Sequence, residues 1–227
     1  MDEQIVPYQA PGESITPLAE DIRARVAAAR MRGRGPSIES SRDNWLVFGV
    51  SSPERRFLGS RFNIGSAVLD VFAPPNEFSN QGPIRSALIE VAGRSVRLVK
   101  PNVMPEMASD AAKLAHSKCQ YGPGCVILVY GDPDFPPGIV AARTKGGSGG
   151  VRIAGDFLRV FGKADVIRIR VGIGKLPPLR AREQDVLDDG ILQGIQIAAK
   201  IVKAIVADGY TAGVDMVKKA NHGKALI

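Results

Sequence analysis

Histidine and cysteine are both scarce in this chain of 227 residues, which holds only His116 and His222, and Cys119 and Cys125. Two cysteines, flanking the turn-like Tyr121-Gly122-Pro123-Gly124, are too few for a disulfide framework and lack partner histidines for a zinc site. No metal and no cofactor is therefore expected, and a reducing compartment is. No run approaches the roughly 18 apolar residues of a membrane span, and the opening MDEQIVPYQ is too acidic and polar for a signal peptide. The expectation is an intracellular, cytoplasmic protein with no membrane role, an organelle remaining open. Acidic residues are also in deficit: 30 Lys and Arg against 23 Asp and Glu give a net charge of +7 and a pI near 9.6. Such a balance favours an anionic partner such as RNA, although surface charge also serves solubility. With 44% hydrophobic and 23% charged residues, the chain can bury one full core, and its length does not demand a second.

What is there divides at about residue 44. In residues 1–44, Thr16 and Pro17 make a helix entry, because the hydroxyl caps orphan amides and proline suits the first helical position. Leu18, Ile22, Val26 and Ala29 follow at helical spacing, with Glu20 and Asp21 early and Arg23, Arg25, Arg30 and Arg32 late, as the helix dipole prefers. Gly33, Gly35, Pro36 and the Ser40-Ser41 pair then read as a linker. Two readings of residues 1–40 stand: a helix docked on the body of the same protein, or a basic arm for RNA or a protein partner.

Residues 45–227 alternate strands and helices. Strands are expected at 45–50, 96–99, 125–130, 140–143 and 166–172, and helices at 61–72, 108–117, 156–161 and 188–207. Strands interleaved with helices imply an α/β fold, a single domain of three α/β/α layers around a mostly parallel mixed sheet. Binding then belongs at the carboxyl ends of the strands.

Several blocks carry a more specific message. Gly49-Val50-Ser51-Ser52-Pro53-Glu54, two residues, Phe57, two residues, then Ser60-Arg61-Phe62-Asn63 and Gly65 keep the register of GLGNPG, two residues, Tyr, two residues, TRHN, one residue, Gly. Lys100-Pro101 matches a KP that precedes a Met-Asn segment, and residues 129–138 (VYGDPDFPPG) match HDDLDLPPG. Gly146 to Gly150 stands where GGSAGGHNG is found, residues 168–174 match RLRIGIG nearly letter for letter, and residues 209–221 match a terminal helix. In these blocks the chain resembles bacterial-type peptidyl-tRNA hydrolase over about residues 45–222.

That family hydrolyses the ester joining a nascent peptide to the 3′ ribose of tRNA, using a histidine oriented by an aspartate and asparagines that hold the carbonyl and the water. Carried over position by position, the resemblance puts Phe62 at the histidine and Gly131 at the aspartate, with Asp132 the next carboxylate. Ser52, Glu106 and Val151-Arg152 stand at the asparagine and His-Asn positions, and Asn63 remains. His116 and His222 lie elsewhere in chain order. The resemblance thus implies an enzyme frame whose own ester hydrolysis is absent. It also implies that Arg143 and Arg170 occupy the places that clamp the tRNA 5′ phosphate, a task suited to the planar guanidinium fork. Lys145, Arg152, Lys163 and Arg168 would widen that positive surface.

Three functions follow as expectations: an inactive relative that binds tRNA or structured RNA; an enzyme repurposed to another small substrate through Ser52, Phe62, Asn63, Glu106, Asp132, Asp134 and Arg152; or a protein-interaction scaffold. Phe57 and Phe62 either stack on a ligand or fill the old pocket. The glycine cluster lets amides line a site or lets the loop move. No GK[ST] follows it, and no strand leads directly into a GxGxxG at a helix start, so neither nucleotide fingerprint applies.

Overall fold

The computed structural model describes residues 44–54, 57, 59–122, 124–162, 166–175 and 187–222. The expected amino-terminal helix and linker lie outside the described residues, as does Lys163.

Seven strands form one sheet in the order β2-β3-β4-β1-β5-β7-β6. The strands are β1 (Trp45–Gly49), β2 (Ser79–Gln81), β3 (Ile84–Val91), β4 (Arg94–Pro101), β5 (Val126–Asp132), β6 (Val140–Arg143) and β7 (Val166–Gly172). The helices are α1 (Ile64–Asp70), α2 (Ala108–Lys118), α3 (Arg152–Phe161), α4 (Asp189–Asp208) and α5 (Tyr210–Ala220). Strands β4, β1, β5 and β7 form a parallel centre, while the β2–β3, β3–β4 and β6–β7 pairings are antiparallel. The sheet is mixed, and its antiparallel half comes mainly from β2 and β3.

The centre reads as continuous apolar sequence because both of its faces are covered. On one face α1, α4 and α5 close over Val47, Ile127, Val129, Ile167 and Ile169. On the other, α2 and α3 close over Leu46, Phe48, Val126 and Leu128, with the Phe48 and Phe157 ring centres 4.5 Å apart. Helix α4 begins where the Asp188 carboxylate accepts from the Ile191 N–H at 2.8 Å. By length and composition it could cross a bilayer, contrary to the expectation that no segment qualifies. Its apolar residues are nevertheless core, with Ile191, Ile195, Ala198, Val202 and Ile205 buried in the first of those layers.

Three other expectations change. Residues 61–72 form a single helical turn, Arg61–Asn63, followed by the short α1. Helix α3 starts at Arg152 rather than Asp156. Strand β4 extends from Arg94 to Pro101 because β3 pairs along its whole length.

The carboxyl ends of β4, β1, β5 and β7 point the same way. Residues 50–54, 57, 59–63, 102–107 and 133–139 therefore gather at one end of the sheet. Loop 144–151 instead leaves the outer strand β6 at Arg143, opposite Arg168 of β7, and returns toward that end before α3 begins.

Candidate functional site

The chain leaves β1 through a crossing that only glycine permits. A Cβ on Gly65 would lie 2.2 Å from the Val50 nitrogen, and one on Gly49 would lie 2.4 Å from the Gly65 oxygen. This contact seats the start of α1 on the end of β1, and the Arg61–Asn63 turn above it is fastened by side chains. Ser60 caps the turn by accepting from the Phe62 N–H at 3.3 Å and donates to the Phe57 oxygen at 2.7 Å. Asn63 is buried, and both ends of its amide are engaged. Its Oδ1 accepts from the Ser52 N–H at 2.7 Å, and its Nδ2 donates to the Phe57 oxygen at 3.0 Å. Asn63 therefore serves as a loop staple.

Phe62 leans on Phe57, with ring centres 5.1 Å apart, and both rings are half-buried. Beneath the turn lies Gly131, where a Cβ would sit 3.1 Å from the Arg61 oxygen and 3.2 Å from Ile64. Thus β5 offers no side chain toward Phe62. Arg61 spans to the end of β7, donating from Nη1 to the Ile173 oxygen at 2.8 Å.

At the carboxyl end of β5, Tyr130 and Asp132 face the other way. Asp132 is fully buried and accepts a hydrogen bond in an ion pair from Arg170 Nε. Its second oxygen accepts from the Asp134 N–H at 2.9 Å. The Phe135 ring stacks on the Arg170 guanidinium, 4.5 Å from the ring centre. Gly149 presses on the same pair from loop 144–151, with φ at +63°. A Cβ there would come within 2.7 Å of Arg170 Nη2 and 3.0 Å of Asp132 Oδ2.

Below this pair on the same sheet face lie Tyr130 and Arg168. Arg168 was expected on a positive surface, but it is buried, with 1% exposure, and donates from Nη1 to the Val166 oxygen at 3.4 Å. Burial holds its pKa below the ordinary arginine value, and burial likewise raises that of the Tyr130 phenol. Arg143, Lys145 and Arg152 are exposed.

The residues named from sequence therefore fall into three sets. Ser52, Phe62 and Asn63 share the turn after β1. Asp132 and Arg170 form the buried pair, with Asp134 exposed beside it and Arg143 on the neighbouring strand. Glu106 and Arg152 are exposed, and among the described residues no hydrogen bond or ion pair joins them to Asp134. His116 packs against Phe161 on the opposite side of the sheet from α1, with ring centres 4.9 Å apart, and His222 follows α5. Among the described residues no three His, Cys, Asp or Glu side chains converge as a metal-binding set.

Another buried acid–base pair, Asp70 with Lys100, joins the end of α1 to β4. Burial dominates both groups there, raising the Asp70 carboxyl and lowering the Lys100 ammonium. Sequence reading overlooked Tyr130, Phe135 and Gly149 as neighbours of Arg170. The available signal was polar residues at every second position, 130 and 132 on β5 and 168 and 170 on β7, inside strands otherwise wholly apolar.

Comparison with known proteins gives this frame a relative at every level. The family model for peptidyl-tRNA hydrolase matches residues 46–223. Peptidyl-tRNA hydrolase of Desulforamulus reducens is 25% identical over 184 residues, covering 78% of this chain and 89% of the relative. That of Aquifex aeolicus is 26% identical over 174 residues, covering 70% and 90%. The crystal structure of the Acinetobacter baumannii peptidyl-tRNA hydrolase superimposes with a TM-score of 0.64 at 20% identity, over 77% of this chain and 94% of that one. The strand order, the glycine crossing after β1 and the match from residue 46 to 223 lead to one conclusion: this chain belongs to the peptidyl-tRNA hydrolase family.

Proposed function

We propose that this member of the family has lost ester hydrolysis and binds tRNA or another structured RNA through the basic surface around Arg143 and Arg170. The observation that carries the reading is Phe62. Hydrolysis needs a group that accepts a proton from water as the ester is attacked, and a benzene ring accepts none at any pH. Among the described residues, Gly131 brings no carboxylate under the turn, and the Asn63 amide is consumed by the Ser52 N–H and the Phe57 oxygen. Binding groups, in contrast, remain. Arg143 is exposed at the edge of the sheet, with Lys145 and Arg152 exposed around the same loop. Arg170 bonds Asp132 through Nε, and among the described residues its Nη atoms carry no hydrogen bond, which suits them to a phosphate.

The test uses the full chain. Peptidyl-tRNA is expected to turn over at the background rate with the wild-type protein and equally with Phe62→His, because the introduced imidazole would have no carboxylate behind it. Binding of deacylated tRNA is expected to weaken steeply with salt, and Arg143→Ala is expected to lower that salt slope by about one. Arg143 is the residue to remove because it is exposed, whereas truncating Arg170 strands the buried Asp132. Turnover well above background, or salt-insensitive binding, overturns the proposal.

A further inference from the structure

The two edges of the sheet are finished differently. At β6 the outward main-chain groups are met by side chains of α5 and of the residue after it. The Asn221 amide accepts from the Val140 N–H at 3.4 Å and donates to the Val140 oxygen at 2.7 Å, and the Tyr210 hydroxyl donates to the Ala142 oxygen at 3.2 Å. At the other edge β2 covers β3 only from Ile84 to Ser86, although β3 runs on to Val91. Ala92 and Gly93, with φ at +50° and +78°, make the two-residue turn that closes Val91 against Arg94. The Asn102 N–H, donating to the Pro83 oxygen at 2.8 Å, sets the same alternation at the far end of the hairpin. Odd-numbered residues of β3 therefore bond β4, and the N–H and C=O groups of Leu88 and Glu90 point outward, where no described residue bonds them.

An open row of main-chain groups along an apolar strand is a template for another strand. The side chains around it say which. Ala87, Ile89 and Val91 belong to the core layer of α1 and α4. On the opposite face Glu90 is exposed and Leu88 half-buried, and the half-buried Arg97 of β4 stands directly beside Leu88. Neither Glu90 nor Arg97 makes an ion pair among the described residues. An added strand thus meets an acid at position 90 and, one strand further in, a base behind position 88. A second copy of the chain does not fit. Pairing Leu88 of each copy with Glu90 of the other would carry Ala92 into the place beside Ser86 that Ser79 already holds. The shift that relieves this clash sets Glu90 against Glu90, and like charges directly opposite are unfavourable.

We infer that the edge of β3 from Ala87 to Val91 is a strand-addition site for an extended segment of a protein partner. The segment runs antiparallel to β3, with a basic residue beside Glu90, an apolar residue beside Ile89 and an acidic residue beside Leu88, within reach of Arg97. Its main chain satisfies the outward groups of Leu88 and Glu90. Its charges decide the match, because Glu90 repels acidic strands and identical copies while it attracts a basic neighbour. The site lies at the hairpin end of the sheet, away from the loops that follow the carboxyl ends of the parallel strands, and it stands apart from the RNA-binding reading.

The experiment uses the full chain and the peptide acetyl-Thr-Val-Lys-Ile-Glu-Val-Thr-amide, with a second peptide in which Lys and Glu change places. Affinity and residue-level amide hydrogen exchange are measured for both. In the protein alone, the Leu88 and Glu90 amides are expected to exchange fast and the Ile89 amide slowly. The first peptide is expected to slow Leu88 and Glu90 and to bind about fivefold tighter than the second; Glu90→Lys is expected to remove or invert that preference. N-methylation of the peptide's Lys and Glu nitrogens, which face β3, is expected to abolish binding, whereas N-methylation of its Ile nitrogen, which faces away, is expected to leave it. Binding of neither peptide, a preference unchanged in Glu90→Lys, or equal loss from the two methylations overturns the proposal. So does slow exchange at Leu88 and Glu90 in the protein alone, which marks the edge as already covered by residues 1–43 or by a second copy.

Discussion

The carboxyl end of β5 presents two faces of opposite character. Toward the Arg61–Asn63 turn it offers only Gly131, and the contacts described there include Asn63 bonded at both ends, Phe62 against Phe57 and Arg61 reaching to Ile173. Toward α3 it offers Tyr130 and Asp132, with Arg170 paired to the carboxylate and Arg168 buried below it. One face of this strand end thus meets an aromatic pair and an amide staple, and the other carries a buried ion pair, so different physical costs attach to disturbing each.

The difference can be broken most forcefully at Arg170. Arg170→Ala leaves Asp132, which has no exposure at all, as a buried charge to which, among the described residues, the Asp134 N–H still donates. Removing one partner of a buried pair costs about 3–5 kcal/mol. Replacing both, as Asp132→Leu with Arg170→Met, is expected to recover much of that loss. On the other face, Asn63→Ala strands the buried Ser52 N–H and is expected to cost about 1–3 kcal/mol. Urea unfolding checks the order. If Asn63→Ala proves the more damaging, the charged pair is not the costlier arrangement and the distinction between the faces weakens.

A smaller effect separates two glycines of one loop. At Gly149, alanine would meet both a left-handed backbone, φ +63°, and the Arg170–Asp132 pair at 2.7 and 3.0 Å. The backbone alone costs about 1–2 kcal/mol. Gly147 has open space around its Cβ position, and Gly147→Ala is expected to change stability by less than about 0.5 kcal/mol. Equal melting temperatures for the two variants would show that the loop does not press on the pair.

Much of this arrangement was legible beforehand, where the cause is local. The continuous apolar run of β5 marks a strand covered on both faces, the alternation of residues 166–172 marks β7, and residues 188–207 read as a long helix. The blocks around Gly49–Gly65 and Arg168–Gly174 located Phe62, Gly131 and Arg170 in the right loops and strands. What stayed hidden depends on partners distant in sequence. Strand β2, Ser79–Gln81, is polar and exposed, and it is a strand only because β3 lies beside it. Strand β3 carries Arg85 and Glu90 among its apolar residues, which blurs its alternation. Helix α3 starts early without a side-chain cap at Val151, so the usual start signal is missing. The pairing of Asp132 with Arg170 spans 38 residues and arises because β7 lies next to β5, which no local pattern announces.

The faintest expected signal comes from the Tyr130 phenol under alkali. Burial raises its pKa above the ordinary value of 10, so the folded protein keeps this proton after the unfolded chain has begun to release it. The stability tied to that proton is complete below pH about 10 and is lost as the pH climbs through the folded value. Tyr130→Phe has no such proton, so its stability should fall less steeply there, by up to about 1.4 kcal/mol per pH unit in that window. The Cys119 thiol, also raised by burial, adds an alkaline loss of the same sign that begins near pH 9. Because both proteins carry it, it cancels in the difference. Denaturant unfolding of the pair between pH 8 and about 11 resolves the effect. Parallel curves would mean that the phenol ionises as freely in the folded protein as in the unfolded chain, and the charged face of β5 would then be as open to water as a surface.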